Sequence, residues 1–313
     1  MPERVVRLLQ AAVDFGLEAR EPHDEGLSPI ATVHSVGLLN LLQTAYVRFA
    51  RLKEGPRSAI PDCFAVRELA GEIPRSIWGE LGYYCADALT PITEGTWDAA
   101  YGSAQVALSG ALAVDAGQQI VYSLCRPPGH HAYPNMYGGY CYLNNAAIAT
   151  EALLSRGHRP AILDIDYHHG NGTQSIFYDR ADVFFCSIHA DPGEEYPYYC
   201  GFAHETGKNE GEGFTLNVTL PLETGEIAYL RALERAITAI NEFGPDVLVV
   251  SIGFDTLTGD PQGGMLLEPS SFTPIGRLIA DLGQPVLLVQ EGGYFLPYLG
   301  PSLVALLEGI APP

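Results

Sequence analysis

Basic side chains are scarce in this chain. Seventeen Lys and Arg stand against 37 Asp and Glu over 313 residues, a formal charge of −20. A surface of that sign repels nucleic acid and anionic membrane and draws in cations. The same charge also serves plain solubility. The six cysteines, Cys63, Cys85, Cys125, Cys141, Cys186 and Cys200, form no Cys-x-x-Cys pair. A chain this long needs no staples, so reduced thiols in a cytosolic protein are expected. The opening residues Met1-Pro2-Glu3-Arg4-Val5-Val6-Arg7 carry no apolar stretch of the signal-peptide kind. No apolar run approaches the roughly 18 residues that span a bilayer. Cytoplasmic residence is therefore expected. Gly-x-Ser-x-Gly is missing, which argues against a serine hydrolase. Gly-x-Gly-x-x-Gly and the phosphate loop are missing too. No internal repeat or low-complexity linker divides the chain, so residues 1–313 are expected to form one α/β domain.

What is present is an alternation. Short apolar runs predict strands at 119–124, 160–165, 183–188, 214–220, 247–252 and 285–290. Most are apolar throughout, as in strands covered on both faces. Helical spacing predicts helices at 35–52, 97–116, 144–155, 227–243, 272–282 and 303–309. The order implies a largely parallel sheet with helices on both faces. Two long stretches, 55–81 and 191–213, show no strong pattern, and loops of that length are usually functional.

Four predicted strands run straight into polar clusters. These are Arg126-Pro127-Pro128-Gly129-His130-His131, Asp164-Ile165-Asp166-Tyr167-His168-His169, Gly253-Phe254-Asp255 and Glu291-Gly292-Gly293-Tyr294. Ligands of open parallel sheets bind beyond the carboxyl ends of the strands, so all four should share one edge. Asp166 and His168 lie i, i+2 and project to one side of an extended segment. With Asp255 they make three ligands and leave a coordination position open, the pattern of a catalytic zinc site. Two carboxylates and one imidazole also suit Fe²⁺. A plainer reading has Asp164 and Asp166 capping the next helix and His168 packed, but it does not explain the common edge. His130 and His131 offer a base and a partner for a water nucleophile. The glycines before Tyr294 let the chain turn and aim a protonated phenol inward, as an oxyanion donor.

These clusters, with Gly138-Gly139-Tyr140-Cys141-Tyr142-Leu143-Asn144-Asn145 and Gly170-Asn171-Gly172-Thr173, resemble the histone deacetylase superfamily. Within it they are most similar to the bacterial acetylpolyamine amidohydrolases. The resemblance implies the arginase–deacetylase fold and hydrolysis of an N-acetyl amide to amine and acetate. It implies Asp166, His168 and Asp255 as zinc ligands. His131 is implied as general base, oriented by Asn171. His130 is its electrostatic partner, held by Asp164, and Tyr294 is the oxyanion donor. A structural potassium ion is implied at Asp164, Ser187 and the backbone carbonyls of Asp166 and His168. Tyr140 and Tyr196 are implied as tunnel walls. Tyr84, in Gly82-Tyr83-Tyr84-Cys85, takes the tunnel place where protein lysine deacetylases carry an aspartate that grips the peptide. The segment 55–81 resembles an insertion that narrows the entrance and forms a homodimer. The superfamily also sets a strand and a loop ahead of the helix that here starts near Met1, so a sheet without its usual first strand is expected.

A small cationic acetylated amine is the expected substrate, with a protein acetyl-lysine deacetylase as the alternative. An arginase-like enzyme needs two metal ions and more carboxylates at the edge. A non-catalytic scaffold that binds acetylated ligands is the second alternative.

Overall fold

Six parallel strands form one sheet in the computed structural model, which describes residues 2–52, 58–67, 69 and 71–311. They are β1 (Ile120–Ser123), β2 (Pro160–Asp164), β3 (Phe184–Ala190), β4 (Thr215–Leu220), β5 (Val247–Ile252) and β6 (Val286–Gln290), arranged β1-β6-β5-β2-β3-β4. No strand precedes β1 among the described residues. β2, β3, β5 and β6 are buried along their whole length. Alternate side chains feed opposite layers. Val249, Leu287 and Val289 enter one apolar core, and Val250, Leu288 and Ile252 enter the other. The continuous apolar runs in the sequence follow from this double coverage.

Ten helices accompany the sheet among the described residues: α1 (Glu3–Phe15), α2 (Ser28–Ala31), α3 (Val36–Ala50), α4 (Ile77–Tyr84), α5 (Thr96–Asp115), α6 (Asn145–Leu154), α7 (Asn171–Phe177), α8 (Glu226–Phe243), α9 (Phe272–Ala280) and α10 (Leu296–Ile310). Helices α3 to α6 cover one face through Leu42, Leu81, Leu108 and Ile148. The other face is covered by α1, α8, α9 and α10 through Leu8, Leu233, Ile275 and Leu303. Caps fix several ends. Asn144 accepts the Ala147 N–H at the start of α6. Gly244 closes α8 in the left-handed region, where a β-carbon is disfavoured.

The helix expected at 303–309 begins earlier, at Leu296. Pro297 sits in its first turn, where a missing N–H costs nothing, and Pro301 stands inside the helix. Helix α4 lies partly in the stretch read as loop, and α7 was not expected. Within 55–81, Gly55, Pro56, Arg57, Glu68 and Ala70 lie outside the described residues. The part before α4 is pinned by an Ala65 N–H bond to the Gly82 carbonyl. All six thiols are unpaired, and no helix among the described residues is long and apolar enough to cross a membrane.

Strand order locates the site. From β2 the chain steps outward to β3 and β4, and from β5 it steps outward the other way to β6. β2 and β5 are neighbours at the centre. A crevice opens beyond their carboxyl ends because their outgoing connections diverge.

Candidate active site

Asp166 and His168 follow β2, and Asp255 follows β5, so they flank that crevice. One ligand atom from each lies within 4.8 Å of the other two. His168 Nδ1 is 3.3 Å from Asp166 Oδ1 and 3.3 Å from Asp255 Oδ2. Backbone donors hold the carboxylates: Gly292 N reaches Asp166 Oδ2 at 2.8 Å, and Tyr167 N reaches Asp255 Oδ1 at 3.0 Å. Gly292 tolerates no side chain, since a β-carbon would overlap both carboxylates.

The charge balance shows what the triad needs. Burial and the neighbouring Asp166 push Asp255 up to about 6. Burial disfavours a charged His168, but the two carboxylates outweigh it and push the imidazole up to about 10. Two buried anions thus demand one cationic centre. Two oxygens, one imidazole nitrogen and an open cavity fit a catalytic divalent ion.

The histidine pair lies on the loop after β1, packed ring against ring at 4.0 Å. His130 Nδ1 is 3.0 Å from Asp164 Oδ2, and its Nε2 is 3.7 Å from Asp166 Oδ1. Burial opposes a charge on His130, yet Asp166, Asp164 and Glu291 hold its pKa well above the ordinary value. His131 goes the other way: burial, His130 and His168 hold it well below. Its Nδ1–H donates to Asn171 Oδ1 at 2.7 Å, while Asn171 Nδ2 donates to the Tyr133 hydroxyl at 2.9 Å. The lone pair of His131 is left on Nε2. Gly139 is required beside it, because its φ is 57° and a β-carbon would strike the His131 ring.

Tyr294 joins His130, His131 and the triad around a cavity of about 360 Å³. Burial raises its phenol well above the ordinary pKa; Arg4 opposes this, and Asp255 and Asp166 add to it. The hydroxyl is therefore protonated at neutral pH. Tyr140 and Tyr196 line the same cavity, with Glu195 and Gln262. Tyr196 packs edge-on to His131 at 4.9 Å, and Tyr140 to Tyr294 at 6.2 Å.

Tyr84 is a correction. It is not on the cavity wall. It ends α4 inside the core, with its phenol against Gly37, because burying the ring removes a large apolar surface from water. Asp164 and Ser187 lie side by side in the β2–β3 register, and both are buried. The Ser187 hydroxyl is 2.8 Å from His189 Nδ1.

Four organising residues escaped the sequence reading. Glu291 accepts the Gly129 and His130 N–H groups at 2.6 and 3.1 Å, tying the histidine loop to β6. Arg4 of α1 donates to the carbonyls of Gly293 and Glu291, and its guanidinium lies 4.7 Å from the Tyr294 ring. Asp87 accepts from Gly139 N at 2.6 Å and from the Tyr196 hydroxyl at 2.8 Å. Asp260 accepts from Tyr294 N at 2.5 Å. Only Glu291 gave a signal, a carboxylate directly after an apolar strand.

Comparison with known proteins agrees with the geometry. The histone deacetylase domain family matches residues 1–310. The chain is 43% identical over 312 residues to an acetylpolyamine amidohydrolase of Mycoplana ramosa, covering 99% of this chain and 91% of that one. It is 46% identical over 310 residues to acetylpolyamine amidohydrolase 2 of Pseudomonas aeruginosa, covering 98% and 90%. The crystal structure of an acetylpolyamine aminohydrolase from Burkholderia pseudomallei superposes with a TM-score of 0.95 at 42% identity, over 99% of this chain and 90% of that one.

Proposed function

The chain belongs to the histone deacetylase family, and from that membership we infer that it is a metal-dependent amidohydrolase with the arginase–deacetylase fold, acting on acetylpolyamines. One observation carries the chemistry. Asp166, His168 and Asp255 share a cavity with a neutral His131 and a protonated Tyr294. Zinc, held by those three residues, would supply polarisation of the acetyl carbonyl and a more acidic water.

The side chains do the rest. His131 takes a proton from the attacking water on Nε2, because its Nδ1–H is committed to Asn171. His130, with Asp164 on Nδ1, keeps a positive charge beside the developing negative one. Tyr294 donates its hydroxyl to the oxyanion. Collapse breaks the C–N bond, and the imidazolium proton passes to the leaving amine. Amine and acetate result.

A small cationic substrate is favoured by the wall. Glu195 stands in it beside Tyr140 and Tyr196, with no ion pair of its own among the described residues. Aromatic rings and a carboxylate suit an alkyl chain that ends in ammonium. Tyr84 is in the core, and no aspartate occupies its place to grip a peptide. Comparing kcat/KM for N-acetylputrescine and an acetyl-lysine peptide tests this. The amine should be preferred, and Glu195→Gln should narrow the gap about tenfold, the equivalent of a ~1.4 kcal/mol charge-assisted contact. Peptide preference in the parent would overturn the substrate assignment.

Residues 55–81 form an entrance and dimer insertion in this proposal. Its support is a run of exposed apolar side chains, Phe64, Val66, Leu69 and Ile73. A homodimer is expected in sedimentation at micromolar concentration, and a monomer there would remove the assignment. A structural potassium ion at Asp164, Ser187 and the carbonyls of Asp166 and His168 rests on the buried β2–β3 pairing of the two side chains.

A further inference from the structure

We propose that Asp260 is a positioning residue for Tyr294, setting the height of the phenol over the metal site from a loop 34 residues upstream in the chain. This rests on the oxyanion role given to Tyr294 above.

Helix α10 starts with its N–H groups unpaired, as every helix does. The residue at its N-cap, Phe295, has no side chain able to cap. Asp260 instead takes the two N–H groups that lead into the helix. Its Oδ2 accepts the Tyr294 N–H at 2.5 Å and the Phe295 N–H at 2.8 Å. Its Oδ1 accepts the Gln262 N–H at 2.9 Å, which fixes the carboxylate plane. The side chain is buried, so water cannot take its place. The favourable interaction of a carboxylate with a helix N-terminus adds to these bonds.

The bond to Tyr294 matters because nothing regular holds that residue. Strand β6 ends at Gln290, and Gly292 and Gly293 follow. Gly293 has φ 107°, a region open to few other residues. Arg4 fixes the carbonyls ahead of Tyr294, at Glu291 and Gly293. Asp260 fixes the N–H groups at and after it. The two together hold the peptide groups on both sides of Tyr294.

Asp260 is also five residues after Asp255, in the loop that leaves β5. One loop therefore sets both a metal ligand and the anchor of the phenol, and so their separation. Donors must sit 2.7–3.1 Å from the oxyanion to act on it. A shift of a few tenths of an ångström in Tyr294 would reduce kcat and leave substrate binding alone.

A double-mutant cycle tests this. Tyr294→Phe alone should lower kcat by about 10²–10³-fold, the usual loss of an oxyanion donor. Asp260→Asn, nearly isosteric, should lower kcat about tenfold with KM and zinc content within about twofold. In the Tyr294→Phe background the same change should have an effect close to onefold, since no hydroxyl remains to be aimed. Asp260→Ser provides the same cycle should the amide variant fold poorly. An equal loss in both backgrounds, or no loss in the parent background, would overturn the proposal and reduce Asp260 to a helix cap. A parent with no amidase activity would instead defeat the functional assignment itself.

Discussion

Asp255→Asn should leave the fold intact, strip zinc from the protein and lower kcat by at least about 10³-fold, since polarisation and water activation vanish together. The reasoning is electrostatic. The site holds two buried carboxylates, and burial, with the repulsion of Asp166 added, pushes Asp255 up to about 6. A cation relieves both costs. With one carboxylate gone, His168 loses one of its two anionic neighbours at 3.3 Å, and the remaining pair attracts an ion far less. Elemental analysis of parent and variant reads the result. One zinc per chain in the parent and none in the variant is expected. Two ions per chain in the parent would point to an arginase-like enzyme. The same samples report potassium, and a parent without it would remove the structural ion assigned to Asp164 and Ser187.

His131→Ala should cost about 10²–10⁴-fold in kcat, the range of a general base. Zinc content should change little, because His131 is not one of the three candidate ligands. The pH profile carries a second signature. A base works only when neutral, so its activity falls as pH drops through its pKa. Burial, His130 and His168 hold His131 well below 6.5, and a bound cation acts in the same direction. The rate should therefore stay level as pH falls through 6.5 and decline only further into acid. Asn171→Asp would place an anion 2.7 Å from Nδ1, favour the imidazolium and move that decline toward neutral pH. A parent profile that already falls at 6.5 or above would contradict the neutral-base assignment.

The sheet and the Asp166–His168 pair of the candidate metal site were legible in the sequence for a common reason: both are local. Strands buried on two faces are written as apolar runs, and Asp166 and His168 declare themselves through i, i+2 spacing at a strand end. Helix α7 was hidden because Asn171-Gly172-Thr173-Gln174 is a weak helix former. It holds through tertiary bonds, such as Thr173 N to the His130 carbonyl at 3.1 Å. Arg4, Asp87 and Asp260 were hidden because each acts on a residue 34 or more positions away. Nothing beside it in the sequence distinguishes buried Arg4 from Arg7, which is exposed on the same amphipathic helix. Tyr84 shows the opposite error. The resemblance implied the wall, but α4 carries that side chain into the core.

The carboxylate of Asp87 joins the two sides of the entrance. One of its oxygens holds both the Gly139 N–H, next to Tyr140, and the hydroxyl of Tyr196. The other holds Leu89 N and the Thr90 hydroxyl, and Thr90 in turn receives Tyr140 N at 2.9 Å. Two segments that line the cavity thus share one anchor. The two ring-bearing segments are coupled through shared hydrogen bonds rather than held independently. A change at this one carboxylate would therefore reach both rings at once, although Asp87 is not itself among the residues that line the cavity.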